Sequence, residues 1–276
     1  MIPPVASRFV AGETAAGALD RARELDDRNV GTILNLLGEH YSSQADVEAD
    51  TDAYLDLTAD IDGTSTCISV KPSQIGLDVS DELFAENAGR IAAAAADQDI
   101  FLWIDMEDHT TTDATLDVFE TLTTRHDGNV GVCVQANLKR TRSDLERLAE
   151  LPGKVRLVKG AYDEPAEISY KRKERVNEEY RTLMEMAFEE FDDGVGIGSH
   201  DPEMIDLAID LHETYGTGFE IQMLMGVREN AQFELAEEYD VYQYVPYGNR
   251  WLSYFYRRAM ERKENALFAL RAVLGR

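Results

Sequence analysis

Residues 100–137, IFLWIDMEDHTTTDATLDVFETLTTRHDGNVGVCVQAN, hold two short apolar runs on either side of a longer helical pattern. The runs are IFLWIDME from Ile100 and VGVCVQAN from Val130, and the helix is read over 112–123. Both runs are apolar nearly throughout rather than alternating, as parallel strands buried on both faces are. The unit repeats outward in both directions. Upstream are GTILNLLG from Gly31 and TCISVKPS from Thr66; downstream are VRLVKGAY from Val155, GVGIGSH from Gly194, FEIQML from Phe219 and VYQYVPYG from Val241. Helical segments over 81–96, 142–150, 174–190, 202–214 and 228–238 alternate with them, and Ser80 and Asp201 stand as caps at two of their starts. Another helix follows Thr14, and a last one is read over 251–274.

Eight strands each followed by a helix, in 276 residues, predict an α/β fold, a (β/α)8 TIM-type barrel, which typically takes about 250 residues. The expectation is a single domain over 1–276, with a short N-terminal helix and the final helix over the barrel mouth. A doubly wound open sheet is the rival; the strand count and the lack of a glycine-rich dinucleotide fingerprint argue against it.

Charge narrows the function classes. Against 27 Lys and Arg stand 53 Asp and Glu, a net charge of −26. Such a surface repels phosphate backbones and anionic lipid, which argues against nucleic-acid binding and polybasic membrane docking. Lysines are few and Arg supplies most of the positive charge. This composition matches a halophile's cytoplasmic protein, the other reading being an ordinary acidic enzyme. Cys67 and Cys133 both lie in apolar runs, which fits a reducing interior rather than a disulfide framework or zinc cluster. No stretch approaches transmembrane length, and MIPPVASRFVAGET does not read as a signal peptide. The location expected is cytoplasmic.

A barrel places its chemistry at the carboxyl ends of its strands. Those ends carry Asn35, Glu39, Lys71, Asp105, Glu107, Gln135, Asn137, Arg156, Lys159, His200, Gln222 and Tyr244. Pointed at one mouth, they form a ring able to hold a polar ligand; taken singly, each could be a satisfied core or loop residue. In the last helix Tyr254, Arg257, Arg258 and Glu261 share one face, where paired guanidinium forks suit a carboxylate. The plainer reading is a solvated salt-bridge face. Lys154, Arg156, Lys159, Lys171, Arg172, Lys173 and Arg175 form a basic concentration that either cradles an anionic ligand or makes a mixed charged surface. Lys159 also admits a Schiff-base aldolase. No histidine pair has metal-ligand spacing, so no metal is expected.

In order along the chain, RFVAGET, LNLLGE, SVK at Lys71, IDME at Asp105, VQAN at Gln135, VRLVKGAY, GSHD at His200, FEIQMLMG, YVPYG and YFYRRAME resemble the flavin-dependent proline dehydrogenase family in its monofunctional form. VRLVKGAY and the Tyr-x-x-Arg-Arg-x-x-Glu pattern are the strongest pieces. Asp163 follows Tyr162 where many relatives carry Trp. The resemblance implies FAD at the barrel mouth and oxidation of L-proline to 1-pyrroline-5-carboxylate, the first step of proline catabolism to glutamate. Electrons would pass to a membrane quinone, through peripheral contact at the inner face of the membrane. It also implies Asp105 and Arg156 as the catalytic pair, Arg156 near flavin N5. Substrate residues would be Lys71, Leu224, Tyr244, Tyr254, Arg257, Arg258 and Glu261; those on FAD would be Met106, Gln135, Arg156, Lys159, Gly160, Ala161, Ser199 and His200. The aldolase and another flavin barrel, methylenetetrahydrofolate reductase, are the alternatives.

The acid excess carries its own expectation. Like charges repel in dilute salt and are screened in concentrated salt, so the melting temperature should rise between low-salt buffer and molar KCl. A melting temperature indifferent to salt contradicts the halophilic reading.

Overall fold

The computed structural model describes residues 6–192, 194–252 and 254. Eight parallel strands close into a barrel: β1 (Val30–Leu36), β2 (Thr66–Val70), β3 (Leu102–Ile104), β4 (Val130–Gln135), β5 (Lys154–Val158), β6 (Val195–Gly198), β7 (Phe219–Leu224) and β8 (Val241–Tyr247). Closure comes from β1 against β8, paired from Val30↔Val241 to Leu36↔Tyr247. Helix α1 (Ala15–Asp26) precedes β1, and its cap is Thr14, whose Oγ1 accepts from the Gly17 amide. The strands are then joined by α2 (Gln44–Asp60), α3 (Asp81–Asp97), α4 (Thr112–Arg125), α5 (Thr141–Leu148), α6 (Lys173–Glu190), α7 (Pro202–Tyr215) and α8 (Glu229–Leu235). Of the expected final helix, all but residues 251, 252 and 254 lies outside the described residues.

Two elements depart from the sequence reading. Helix α2 fills the place of the helix expected after the first strand, but its bounds do not show in the sequence: QADVEADTDAYLDLTAD is acid-rich and seats Thr51 and Thr58 among the buried Val47, Tyr54 and Leu57, so its inner face does not read as apolar. Helix α8 runs over Glu229–Leu235 rather than 228–238: Arg228 is left-handed, at φ 51°, so the helix starts after it, and residues 236–238 form a turn.

The core has two layers on either side of the sheet. Outside, strand residues such as Leu34, Ile68, Ile104, Val132, Leu157 and Ile221 pack against the helices. Inside, Ile33, Cys67 and Trp103 cluster with the half-buried Phe101, Tyr242 and Tyr244. This aromatic plug replaces the branched aliphatic layers common in such barrels, and small residues make room for it. A Cβ on Gly131 would lie 2.5 Å from Trp103 Cζ3 and 2.9 Å from Phe101 Cε1. Trp103 is fully buried and has no room to withdraw. Gly131→Ala is therefore expected to overpack the plug and cost about 1–3 kcal/mol, read as a lowered denaturation midpoint; an unchanged midpoint contradicts this packing.

Candidate active site

Asp105 follows β3 directly, at the carboxyl mouth, and polar and ionisable groups from β2, β5 and β8 converge on it. Ser69 Oγ donates to its Oδ1 over 2.6 Å, Tyr244 Oη donates to Oδ2 over 2.7 Å, and Arg156 Nη2 also donates to Oδ1. Lys71 Nζ stands 4.0 Å from Oδ2 and donates over 2.7 Å to Asn35 Oδ1. Asn35 is oriented in turn, its Nδ2 donating to the Ser69 carbonyl over 2.8 Å. The local reason is strand alternation: Asn35, Ser69, Arg156 and Tyr244 occupy inward positions, so parallel pairing brings them to one level. Arg156 is 4 % exposed; its guanidinium lies 5.0 Å from the Trp103 ring centroid and 5.9 Å from that of Tyr244. Its Nη1 donates to Gln222 Oε1 over 3.1 Å.

The electrostatics follow from this crowding. Burial opposes ionisation of Asp105 most strongly, but Arg156, Lys71, Ser69 and Tyr244 together overcome it and hold the carboxyl below its ordinary pKa. Burial likewise works against the charge on Arg156, and Asp105 reverses that, raising its pKa. Glu107 behaves oppositely. Its burial outweighs the hydrogen bonds from the Ser73 amide and Oγ, each 2.7 Å, and raises its pKa.

Around this centre lies the rim. Gln135, at the end of β4, donates through Nε2 to the Glu107 carbonyl over 2.7 Å, and Met106, just before Glu107, is buried. Lys159 Nζ pairs with Asp201 Oδ2 at 2.8 Å. Gly160, at φ +101°, faces Asn137: a Cβ there would lie 2.1 Å from Asn137 Oδ1, a buried atom with no hydrogen-bond partner among the described residues. Ser199 Oγ accepts from the Asp201 amide over 3.2 Å, and His200 Nε2 accepts from the Leu224 amide over 3.3 Å. Ala161 is exposed beside Gly160. Tyr254 is buried with Val10 and Leu37, against Phe9 and Trp251. Arg257, Arg258 and Glu261 lie outside the described residues.

The basic concentration is not one patch. Lys154 pairs with Glu220, Arg156 with Asp105, Lys159 with Asp201, Lys171 with Asp163, and Arg175 with Glu178 and Glu179. Two inward strand positions send their charges into the barrel, Lys159 pairs at the rim, and Lys171 and Arg175 pair at the surface. Sequence reading missed Ser69, Trp103 and Glu220, which sit inside apolar runs and become visible only once inward and outward positions are told apart.

A closed parallel barrel with a buried acid–base network at its carboxyl mouth defines a (β/α)8-barrel enzyme. Residues 18–271 match the proline dehydrogenase family. The chain is 36 % identical over 282 residues to the proline dehydrogenase of Deinococcus radiodurans, covering 98 % of this chain and 90 % of that one. It is 32 % identical over 276 residues to proline dehydrogenase 1 of Bacillus subtilis, again covering 98 % and 90 %. Among solved structures it is similar to proline utilization A (PutA) from Bdellovibrio bacteriovorus inactivated by N-propargylglycine, with a TM-score of 0.85 and 21 % identity. That likeness covers 94 % of this chain and 33 % of the larger one, and it concerns the fold. The chain belongs to the proline dehydrogenase family. The aldolase and methylenetetrahydrofolate reductase readings give way to that membership.

The lowered pKa of Asp105 has a consequence for stability. Its charge favours the folded state above the unfolded carboxyl pKa, about 4, and that contribution is lost as the pH falls through the lower folded value. Asp105→Asn should lower the melting temperature at pH 7 and show a shallower decline than the parent on acidification from about pH 5 to 3. Parallel acid limbs in the two proteins would contradict the ion-paired state of Asp105.

Proposed function

We propose that this enzyme oxidises L-proline to 1-pyrroline-5-carboxylate with FAD as its cofactor, the first step of proline catabolism to glutamate, and passes the electrons to a membrane quinone. The observation that carries the reading is the convergence of Lys71, Asp105, Arg156 and Tyr244 at one barrel mouth, in a chain belonging to the proline dehydrogenase family.

The residues present fit a flavin dinucleotide. Gly160 lets the Asn137 side chain pack where a Cβ would stand, and the buried Asn137 Oδ1, without a hydrogen-bond partner among the described residues, is an acceptor for a donor group of the cofactor. Arg156 and Lys159 place positive charge at the mouth of a strongly acidic protein, suited to a cofactor that is anionic in its phosphates and when reduced. Gln135, Met106, Lys159, Gly160, Ala161, Ser199 and His200 would hold it together with Arg156. FAD, when bound, accepts the two electrons and the hydrogen given up by the proline ring carbon beside nitrogen.

The chain's own part is placement and charge. Lys71, with Arg257 and Arg258, binds the substrate carboxylate. Leu224, Tyr244 and Tyr254 wall the ring, and Glu261 orients the arginines. Asp105 remains a carboxylate and holds Lys71, Arg156 and Tyr244 in register, so the site needs little reorganisation during reaction. Among the described residues no helix is long and apolar enough to cross a membrane; we place the enzyme in the cytoplasm, meeting its quinone by peripheral contact. The domain is taken to run over 1–276.

Proline should bleach the visible flavin bands of the purified protein under anaerobic conditions. Arg156→Ala, loaded with FAD, should reduce the limiting bleaching rate by about 10²-fold and weaken proline binding much less. Parent-rate bleaching would remove Arg156 from the site, and a protein that takes up no flavin would overturn the cofactor.

A further inference from the structure

Behind the mouth, the barrel interior contains a polar ladder that the reaction itself does not require. Strands β5 and β7 are not neighbours, since β6 runs between them. Yet Arg156 Nη1 reaches Gln222 Oε1 at 3.1 Å, and Lys154 Nζ reaches Glu220 Oε2 at 2.9 Å. The span is open because β6 presents glycine there: a Cβ on Gly196 would lie 2.9 Å from Gln222 Nε2 and 3.3 Å from Arg156 Cβ. A vertical bond joins the two rungs, Gln222 Nε2 donating to Glu220 Oε1 over 2.6 Å. Glu220, Gln222 and Arg156 are 5 %, 4 % and 4 % exposed.

The chemistry of these groups gives the ladder a direction. A guanidinium only donates and a carboxylate only accepts. An amide placed between them therefore has one satisfied orientation, NH2 toward Glu220 and oxygen toward Arg156. With an apolar or neutral residue at position 220 the amide is oriented from the Arg156 side alone, and its NH2 loses the charged acceptor that anchors the Gln222 side chain beneath Nη1. Lys154 offsets the charge of the buried carboxylate. Buried ion pairs add little net stability, and orientation is a better-attested reason for keeping one. Glu220 stands two residues below Gln222 on the same strand, about 7 Å deeper, and so does not reach the substrate.

We infer that Glu220 is a positioning residue for Arg156, acting through Gln222 from the deep end of the barrel interior. The inference rests on the reading of Arg156 as an active-site residue. With Asp105 on Nη2 and Gln222 on Nη1, the guanidinium plane is gripped at both ends, and Glu220 sets the second grip.

The test is a double-mutant cycle on the FAD-loaded enzyme, with Glu220→Gln, Arg156→Lys and the pair together. Glu220→Gln should lower kcat about tenfold and change KM for proline less than about twofold. In the Arg156→Lys background, which has no second guanidinium nitrogen to align, the same change should cost nothing further. The flavin midpoint potential gives a readout apart from turnover. Removing a negative charge raises it by field alone, whereas a misaligned Arg156 lowers it; the expected result is a lower potential. Should Glu220→Gln fail to fold, Gln222→Met leaves the Lys154–Glu220 pair in place and should show the same loss of kcat. Parent-like kcat, equal losses in both backgrounds, or a lowered melting temperature with kinetics and potential unchanged would each overturn the inference. If Arg156→Lys itself turns over like the parent, the reading of Arg156 falls and this inference falls with it. An impaired Arg156→Lys beside an unimpaired Glu220→Gln overturns the inference alone.

Discussion

The ion pair between Arg156 and Asp105 is the constraint to which the rest of the barrel interior is fitted. Neither charge tolerates burial alone, because leaving one unpaired inside the protein costs several kcal/mol. Together they are stable only with their remaining hydrogen-bonding atoms satisfied, and the neighbouring strands supply those partners. Ser69 and Tyr244 complete the carboxylate, while Gln222 completes the guanidinium. The flat faces of Trp103 and Tyr244 flank the cation, which suits its delocalised charge.

That fitting explains features of sequence that look unrelated. Gly131 and Gly196 sit beside the plug and the crossing side chains, where any Cβ would collide. Asn35 ties Lys71 to the backbone of β2, so the ammonium at the mouth is held from below rather than left to its long stem. Glu107 braces the turn after β2 through Ser73 and receives Gln135 on its carbonyl. The barrel thus delivers fixed charges and dipoles to its mouth, the form of preorganisation that favours charge movement in a bound ligand.

Much of this was legible in the chain. Parallel strands buried on both faces write themselves as uninterrupted apolar runs, and Lys71 and Asp105, where their runs stop, lie at the mouth as that logic requires; Arg156 and Tyr244 join them from mid-strand inward positions. The deeper network was hidden for the same reason. Within FEIQML or TCISVKPS, a residue's inward or outward orientation depends on register, which only pairing fixes. Helix α2 is expected after the first strand, but its bounds stay hidden because threonines fill core positions among many acids. The basic cluster misled because nearness in sequence put Lys154, Lys159 and Lys171 together, whereas the fold gives each a different acidic partner. Proline itself was never written in spacing or charge; it came with the family resemblance.

On the proposed function, proline is held at the mouth above the Asp105–Arg156 pair. A crystal structure of the oxidised enzyme with a proline analogue whose ring nitrogen is replaced by oxygen tests this directly, since such a ring keeps the shape and carboxylate but lacks the amine to be oxidised. The predicted result is a carboxylate within hydrogen-bond distance of Lys71 and a ring beside Tyr244. An analogue bound elsewhere, with the mouth network unchanged and Lys71 still engaged with Asn35 and Asp105, would contradict it.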